Sequence, residues 1–176
     1  MSVYVEAKTL EHGLAWIREA PTGAGSVELV VRRPREGQRT VLDEGLLTAA
    51  EGLVGDDWSN RDGHRPDRQL TLMNARVIGL IAGPRERWPL AGDQLYVDLD
   101  LSEENLPPRT RLRIGSALVE VSDALHTGCA KFTERFGSDA IRFVNQPPGR
   151  SLRLRGMYAR IVEDGAVRPG DVISKL

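Results

Sequence analysis

Apolar positions recur along the chain with two periods. Leu10, Leu14 and Ile17 are spaced by three and four residues and Pro21 follows them, which predicts an amphipathic helix over residues 9–20 that Gly13 weakens. Residues 26–33 carry Val27, Leu29, Val30 and Val31 and run into Pro34 and Gly37, so they read as a strand with 39–42 returning beside it as a hairpin. Residues 69–73 form a further strand. Asn74 is a good N-cap for a helix over 75–82, whose Val77, Ile78 and Ile81 make one apolar face and which Gly83-Pro84 stops. Leu95, Val97, Leu99 and Leu101 alternate with polar partners, the period of a strand with one buried face. Gly115-Ser116 separates 111–114 from 117–122 as a second hairpin. Residues 130–136 read as a helix with Gly137 just past its end, and Ser138 caps a further turn or two through Val144 before Pro147-Pro148. Residues 151–162 return to strand character with a bulge or bend at Gly156, and 172–175 close the chain after Pro169-Gly170.

Many short strands between Gly/Pro turns, with helices inserted rather than alternating one for one, argue against a parallel βαβ sheet. The expected fold is mostly β (α+β): a closed or nearly closed β-barrel with a few peripheral helices. No repeat, low-complexity stretch or dividing linker is visible, so the expected organisation is a helical lead-in over residues 1–24 and one barrel domain over 25–176.

Composition narrows the function classes. With 24 Lys+Arg against 25 Asp+Glu in 176 residues, the net charge of -1 argues against a nucleic-acid-coating protein. At 40% hydrophobic residues the chain has the aliphatic content for a sizeable core. The lone Cys129 excludes an intrachain disulfide and fits a reducing compartment, so a cytoplasmic location is expected. Charged residues among the first twenty break any signal-peptide pattern, and no stretch approaches the roughly 18 apolar residues of a membrane span, so a soluble protein without membrane partners is expected. Of the 24 cationic residues 21 are Arg, a skew that codon bias explains as well as anion recognition does, so only individual Arg positions carry an argument.

Cys129 stands at the start of a predicted helix, between Gly128 and Ala130-Lys131. Free N–H groups there and the Lys131 charge favour a thiolate, which serves as a nucleophile, a sulfur carrier or a soft-metal ligand; an inert buried cysteine is the alternative. Gly128 leaves room for a ligand to approach. A Cys/His hydrolase dyad draws only on His12, His64 and His126, and no spacing matches a hydrolase signature. His126 and Cys129 supply at most two of the three or four ligands a zinc site needs. The polar segment 60–68, containing His64 and Arg68, is where a barrel builds a mouth, or else a solvated loop. Arg153 and Arg155 would share one face of the 151–155 strand, with Arg150 and Arg160 nearby, an arrangement suited to phosphate or to a solvent-facing strand edge.

The order of several motifs resembles the MOSC family, the domain that ends molybdenum cofactor sulfurases and also occurs alone. The pieces are Gly52-Leu53-Val54-Gly55-Asp56, Asp67-Arg68-Gln69-Leu70-Thr71-Leu72-Met73, Asn105-Leu106, Leu112-Arg113-Ile114-Gly115, Val119-Glu120-Val121-Ser122, Gly128-Cys129-Ala130-Lys131, Arg155-Gly156-Met157-Tyr158-Ala159-Arg160 and Gly165-Ala166-Val167-Arg168-Pro169-Gly170-Asp171. The resemblance implies a barrel whose cysteine lines a pocket for the molybdenum cofactor (molybdopterin) or carries sulfur. Cys129 takes that catalytic and metal-ligand role, with Arg68, Arg153, Arg155, Lys131 and His64 as cofactor-binding candidates, while Asp56 and Tyr158 also match motif positions. Some relatives reduce N-hydroxylated compounds, and an electron-donor or sulfur-donor protein is then an implied partner. Many members have Pro or Arg where this chain has Gly128, and 176 residues leave no room for the pyridoxal-phosphate domain of full sulfurases, so no pyridoxal phosphate is expected in this chain. The expected partner is a pterin or other phosphorylated small molecule; the competing expectation is a non-catalytic module whose 150–160 and 61–68 arginines hold a phosphorylated small molecule or a partner protein.

Overall fold

The computed structural model describes residues 4–176. Along these the elements are α1 (Ala7–Arg18), β1 (Ala24–Arg32), β2 (Thr40–Val41), β3 (Gly45–Thr48), β4 (Gly52–Leu53), β5 (Leu70–Asn74), α2 (Ala75–Ala82), β6 (Leu95–Asp98), β7 (Arg111–Ile114), β8 (Ala117–Val121), α3 (Ala130–Asn145), β9 (Met157–Glu163), β10 (Gly165–Val167) and β11 (Val172–Lys175). Seven of the strands close on themselves in the order β1, β11, β7, β8, β9, β5, β6 and back to β1. All neighbours in this ring are antiparallel except β5 and β6, whose parallel pairing is permitted by the crossover through α2. β2 pairs with the end of β1, as the hairpin reading expects, and β10, β3 and β4 form a small sheet beside the barrel.

Strand alternation sorts the core into two compartments. Leu70 and Leu72 of β5 and Leu95 and Val97 of β6 join the cluster that fills the barrel, while the intervening Met73 and Tyr96 join a second cluster. That second cluster lies between the barrel wall and the helices, with Leu10 and Ile17 from α1, Val77, Ile78 and Ile81 from α2, and Phe132, Phe136, Ala140 and Val144 from α3. In β1 the pairing register with β6 shifts between Val27 and Leu29, and this bulge lets Val27 and Val30 face inward while Leu29 and Val31 face the helices. Asn74 caps α2 by accepting from the N–H of Arg76 and Val77, as its position predicts.

One expectation holds and another is corrected. Gly137 ends the first helical stretch of α3, as its position predicts: at φ 90° and ψ 170° it is non-helical, and a second stretch follows it to Asn145. A Cβ there would lie 2.8 Å from the Tyr4 ring, so glycine is required by both conformation and space. Residues 151–155 are not a strand. Their backbone turns back on itself, with Leu152 N–H donating to the Pro148 carbonyl and Leu154 N–H to that of Gly149, and Arg153 sits at φ 50°. The Leu152/Leu154 spacing that mimics a strand arises because Leu154 plugs the helix-side core from a turn. The strand begins only at Met157, after Gly156 passes so near the Leu72 carbonyl that a Cβ would meet it at 2.4 Å.

Candidate functional site: an arginine-rich pocket around Cys129

β1 ends, and β6 and β9 begin, at one end of the barrel, where α3 also starts. A pocket of about 400 Å³ opens there. Eight cationic side chains line it (Arg33, Arg39, Arg61, Arg65, Arg68, Lys131, Arg135 and Arg155), against a single lining acid, Asp62. The walls also carry three aromatic side chains besides the imidazoles of His64 and His126, namely Trp58, Phe132 and Tyr158, and the thiol of Cys129.

The floor is a buried ionic network. Asp93 is fully buried; its Oδ2 accepts from Arg155 Nη1 at 2.6 Å and its Oδ1 lies 3.0 Å from His126 Nε2. Burial drives the Asp93 carboxyl upward, but the Arg155 charge and the His126 hydrogen bond outweigh it and hold the group below its usual value. His126 is also held below its usual value, first by burial and then by the Arg155 charge, against the pull of Asp93. A neutral imidazole facing an ionised carboxylate must carry its proton on Nε2 and donate it, which leaves Nδ1 as the acceptor. The ring rests on Tyr158, with centroids 4.5 Å apart, and the Arg68 guanidinium lies 5.7 Å above the same Tyr158 ring. Arg155 in turn lies 4.9 Å over Phe132.

A second buried pair builds the adjoining wall. Asp56 accepts from Arg33 Nε at 3.0 Å and Nη2 at 2.8 Å, and also from the backbone N–H of Arg33 and Trp58. This fork locks the turn after Gly55 to the end of β1, so Asp56 has a positioning role. Trp58 meets His64 edge to face at 4.7 Å across the pocket's polar loop.

Cys129 is exposed at the N-cap of α3. Burial pushes its thiol up, yet the N–H dipoles of Phe132 and Lys131 and the charges of Arg155 and Arg135 prevail and hold it below its usual value. Being exposed, the sulfur is accessible from the pocket. The loop before it is pinned by Asn145, whose Oδ1 accepts from Gly128 N–H at 2.8 Å and whose Nδ2 donates to the Gly128 carbonyl. Gly128 therefore faces Ile141 and Asn145, where a Cβ would sit 3.2 Å from the Ile141 side chain, and does not serve as an opening toward a ligand.

Of the sequence candidates, Cys129, Arg68, Arg155, Lys131 and His64 come together in this pocket. Arg153 does not. It lines a separate cavity of about 270 Å³ with Arg150, and its Nη1 donates to the Leu101 and Leu106 carbonyls. Arg160 is elsewhere again, paired with Glu120 on the surface. Lys131 is held by Glu36 at the rim. The sequence reading missed Arg33, Arg39, Arg135, Trp58 and Asp93; Arg33 and Arg39 flank the Pro34–Gly37 turn, but nothing local links that turn to residues sixty or a hundred positions later. Among the described residues no group of three or more His, Cys, Asp and Glu converges as a metal site.

Residues 65–174 match the MOSC domain family, and the chain belongs to it. Several solved structures share the fold. YiiM from Escherichia coli is 24% identical, with 86% of this chain and 69% of that chain covered at a TM-score of 0.56. The YUAD protein from Bacillus subtilis is 18% identical, with 85% and 94% covered at 0.57. YiiM from Geobacillus stearothermophilus is 15% identical, with 88% and 73% covered at 0.54. No curated protein matches the chain. The family is associated with molybdenum cofactor binding.

Proposed function

We propose that the pocket holds a phosphorylated pterin of the molybdenum-cofactor type, with Cys129 as its thiolate ligand or as a sulfur carrier for it. The observation that carries this reading is the donor set: an exposed thiol biased toward thiolate, inside a pocket lined by eight cations and one acid. Two buried N–H groups on the lining residues, Arg155 Nε and Trp58 Nε1, also have no hydrogen-bond partner, a cost that a polar ligand or water would offset. The residues therefore fit such a group. A thiolate suits a soft or high-valent metal, and guanidinium forks suit a phosphate.

In this reading Arg155 and Arg68 bind and orient the anion, and Cys129 presents its sulfur beside them. Asp93 holds Arg155 and His126 in place, and Phe132 and Tyr158 shield the floor from water. When bound, the cofactor would supply two-electron chemistry, of which reduction of N-hydroxylated compounds is the proposed instance. An electron-donor or sulfur-donor protein would complete the cycle.

The test is elemental analysis for molybdenum, with pterin fluorescence, on protein purified from a molybdopterin-competent host. Near-stoichiometric metal and pterin, with metal lost in Cys129→Ser, is the expected result. Protein that carries neither, yet still binds phosphate, would be a non-catalytic anion-binding module instead.

A further inference from the structure

Four consecutive carbonyls at the pocket edge each hold a different arginine. Pro89 O accepts from Arg39 Nε at 3.1 Å, Leu90 O from Arg135 Nη1 at 2.8 Å, Ala91 O from Arg155 Nη2 at 2.9 Å and Gly92 O from Arg33 Nη1 at 3.0 Å. One turn thereby gathers four guanidiniums from four remote parts of the chain: the end of β1, the β1–β2 turn, α3 and the segment before β9. The two inner ones are neutralised, Arg33 by Asp56 and Arg155 by Asp93. The two outer ones are not. Among the described residues neither Arg39 nor Arg135 has a carboxylate within ion-pair distance, and the nearby Glu36 is engaged by Lys131.

We propose that Arg39 and Arg135 form a subsite for a phosphate-monoester dianion, clamped between two guanidiniums that the Pro89–Leu90 carbonyls hold side by side. After its backbone bonds, to Pro89 and Gln38, Arg39 still has Nη2 unbonded, and Arg135 has Nε and Nη2 unbonded. Both side chains line the pocket. Carbonyl oxygens orient these forks without cancelling their charge, so two like charges are fixed together with no counter-ion. The half-buried Arg39 guanidinium shows this strain: burial, then the charges of Arg135 and Arg33, hold it below its usual value. A dianion placed between them removes the repulsion and accepts from donors already oriented, which is a preorganised anion site. The clamp is argued from this geometry alone and does not rest on the cofactor reading.

The source of the phosphate is either the cofactor itself or a phosphorylated substrate. The experiment is calorimetric titration of inorganic phosphate into protein from a host unable to make molybdopterin. Wild type should bind, and Arg39→Gln and Arg135→Gln should each weaken binding about ten- to a hundredfold, the loss expected for a charge-assisted hydrogen-bonding partner. Arg113→Gln, a surface pair partner outside the pocket, should leave binding unchanged. Thermal unfolding run in parallel without phosphate should show both pocket variants at least as stable as wild type, because each removes a repulsion. Absence of phosphate binding by wild type, or binding that both glutamine variants retain, overturns the proposal. Repeating the titration on cofactor-loaded protein assigns the source: binding abolished there places the cofactor's phosphate in the clamp, and binding retained reserves the clamp for substrate.

Discussion

Asp93 is the residue on which the pocket floor depends, because one buried carboxylate satisfies both Arg155 and His126. Removing one partner of a buried ion pair leaves the other uncompensated, typically at a cost of about 3–5 kcal/mol. Asp93→Ala should therefore lower unfolding stability by about that amount in urea titrations, with most of the loss restored by a compensating Arg155→Met. The same network sets an acid sensitivity. His126 titrates below its ordinary value when folded, so the unfolded chain binds the extra proton first, and stability declines as pH falls below about 6.5. Asp93, also lowered, adds a second loss of the same sign as pH falls below about 4. His126→Gln should flatten the first stage while leaving the second. At Cys129 the lowered thiol should make the alkylation rate level off at a pH below the free-thiol value of about 8.5; a plateau at or above it would point to an ordinary thiol.

At the scale of elements, the helix ends test how local signals were read. Asn74→Ala removes the α2 cap and the buried hydrogen bond from its Nδ2 to the Leu99 carbonyl, and should cost about 1–2 kcal/mol. Gly137→Ala should cost about 1–3 kcal/mol, since a left-handed backbone is imposed on an L side chain that also meets Tyr4. Both are measured by reversible denaturation. Elements with their own punctuation were legible: Asn74 and Gly83-Pro84 bound α2, Gly115-Ser116 made the β7–β8 hairpin, and the Leu95–Leu101 alternation faced one interior. The turn at 147–155 was not, because Leu154 reaches the core from a turn with the same spacing a strand would give. The site was half legible for a related reason. Cys129 and Lys131 announce themselves by lying at a helix start, whereas the Arg33–Asp56 and Arg155–Asp93 pairs join positions far apart in sequence and exist only once the barrel is closed.

The whole molecule has a formal net charge of -1, yet it concentrates eight cations in one pocket. Anions should consequently be drawn to that end of the barrel over a range set by salt, and phosphate affinity should fall as ionic strength rises through the range where the Debye length shrinks from about 10 Å at 0.1 M to about 3 Å at 1 M. A titration series in potassium chloride checks this, with unchanged affinity counting against the pocket as the binding site. The ring that supports the pocket is closed by β11, which pairs with β1 through Ser26 and Val172 and with β7 through Ile114 and Ile173. Of these strands, β1 and β11 lie far apart in the sequence. On a ribosome, β1 leaves the tunnel early and must wait, one edge bare, until residues 172–175 have also emerged. The ring beneath the pocket therefore closes only once β11 has been translated, after every residue that lines the pocket has already emerged.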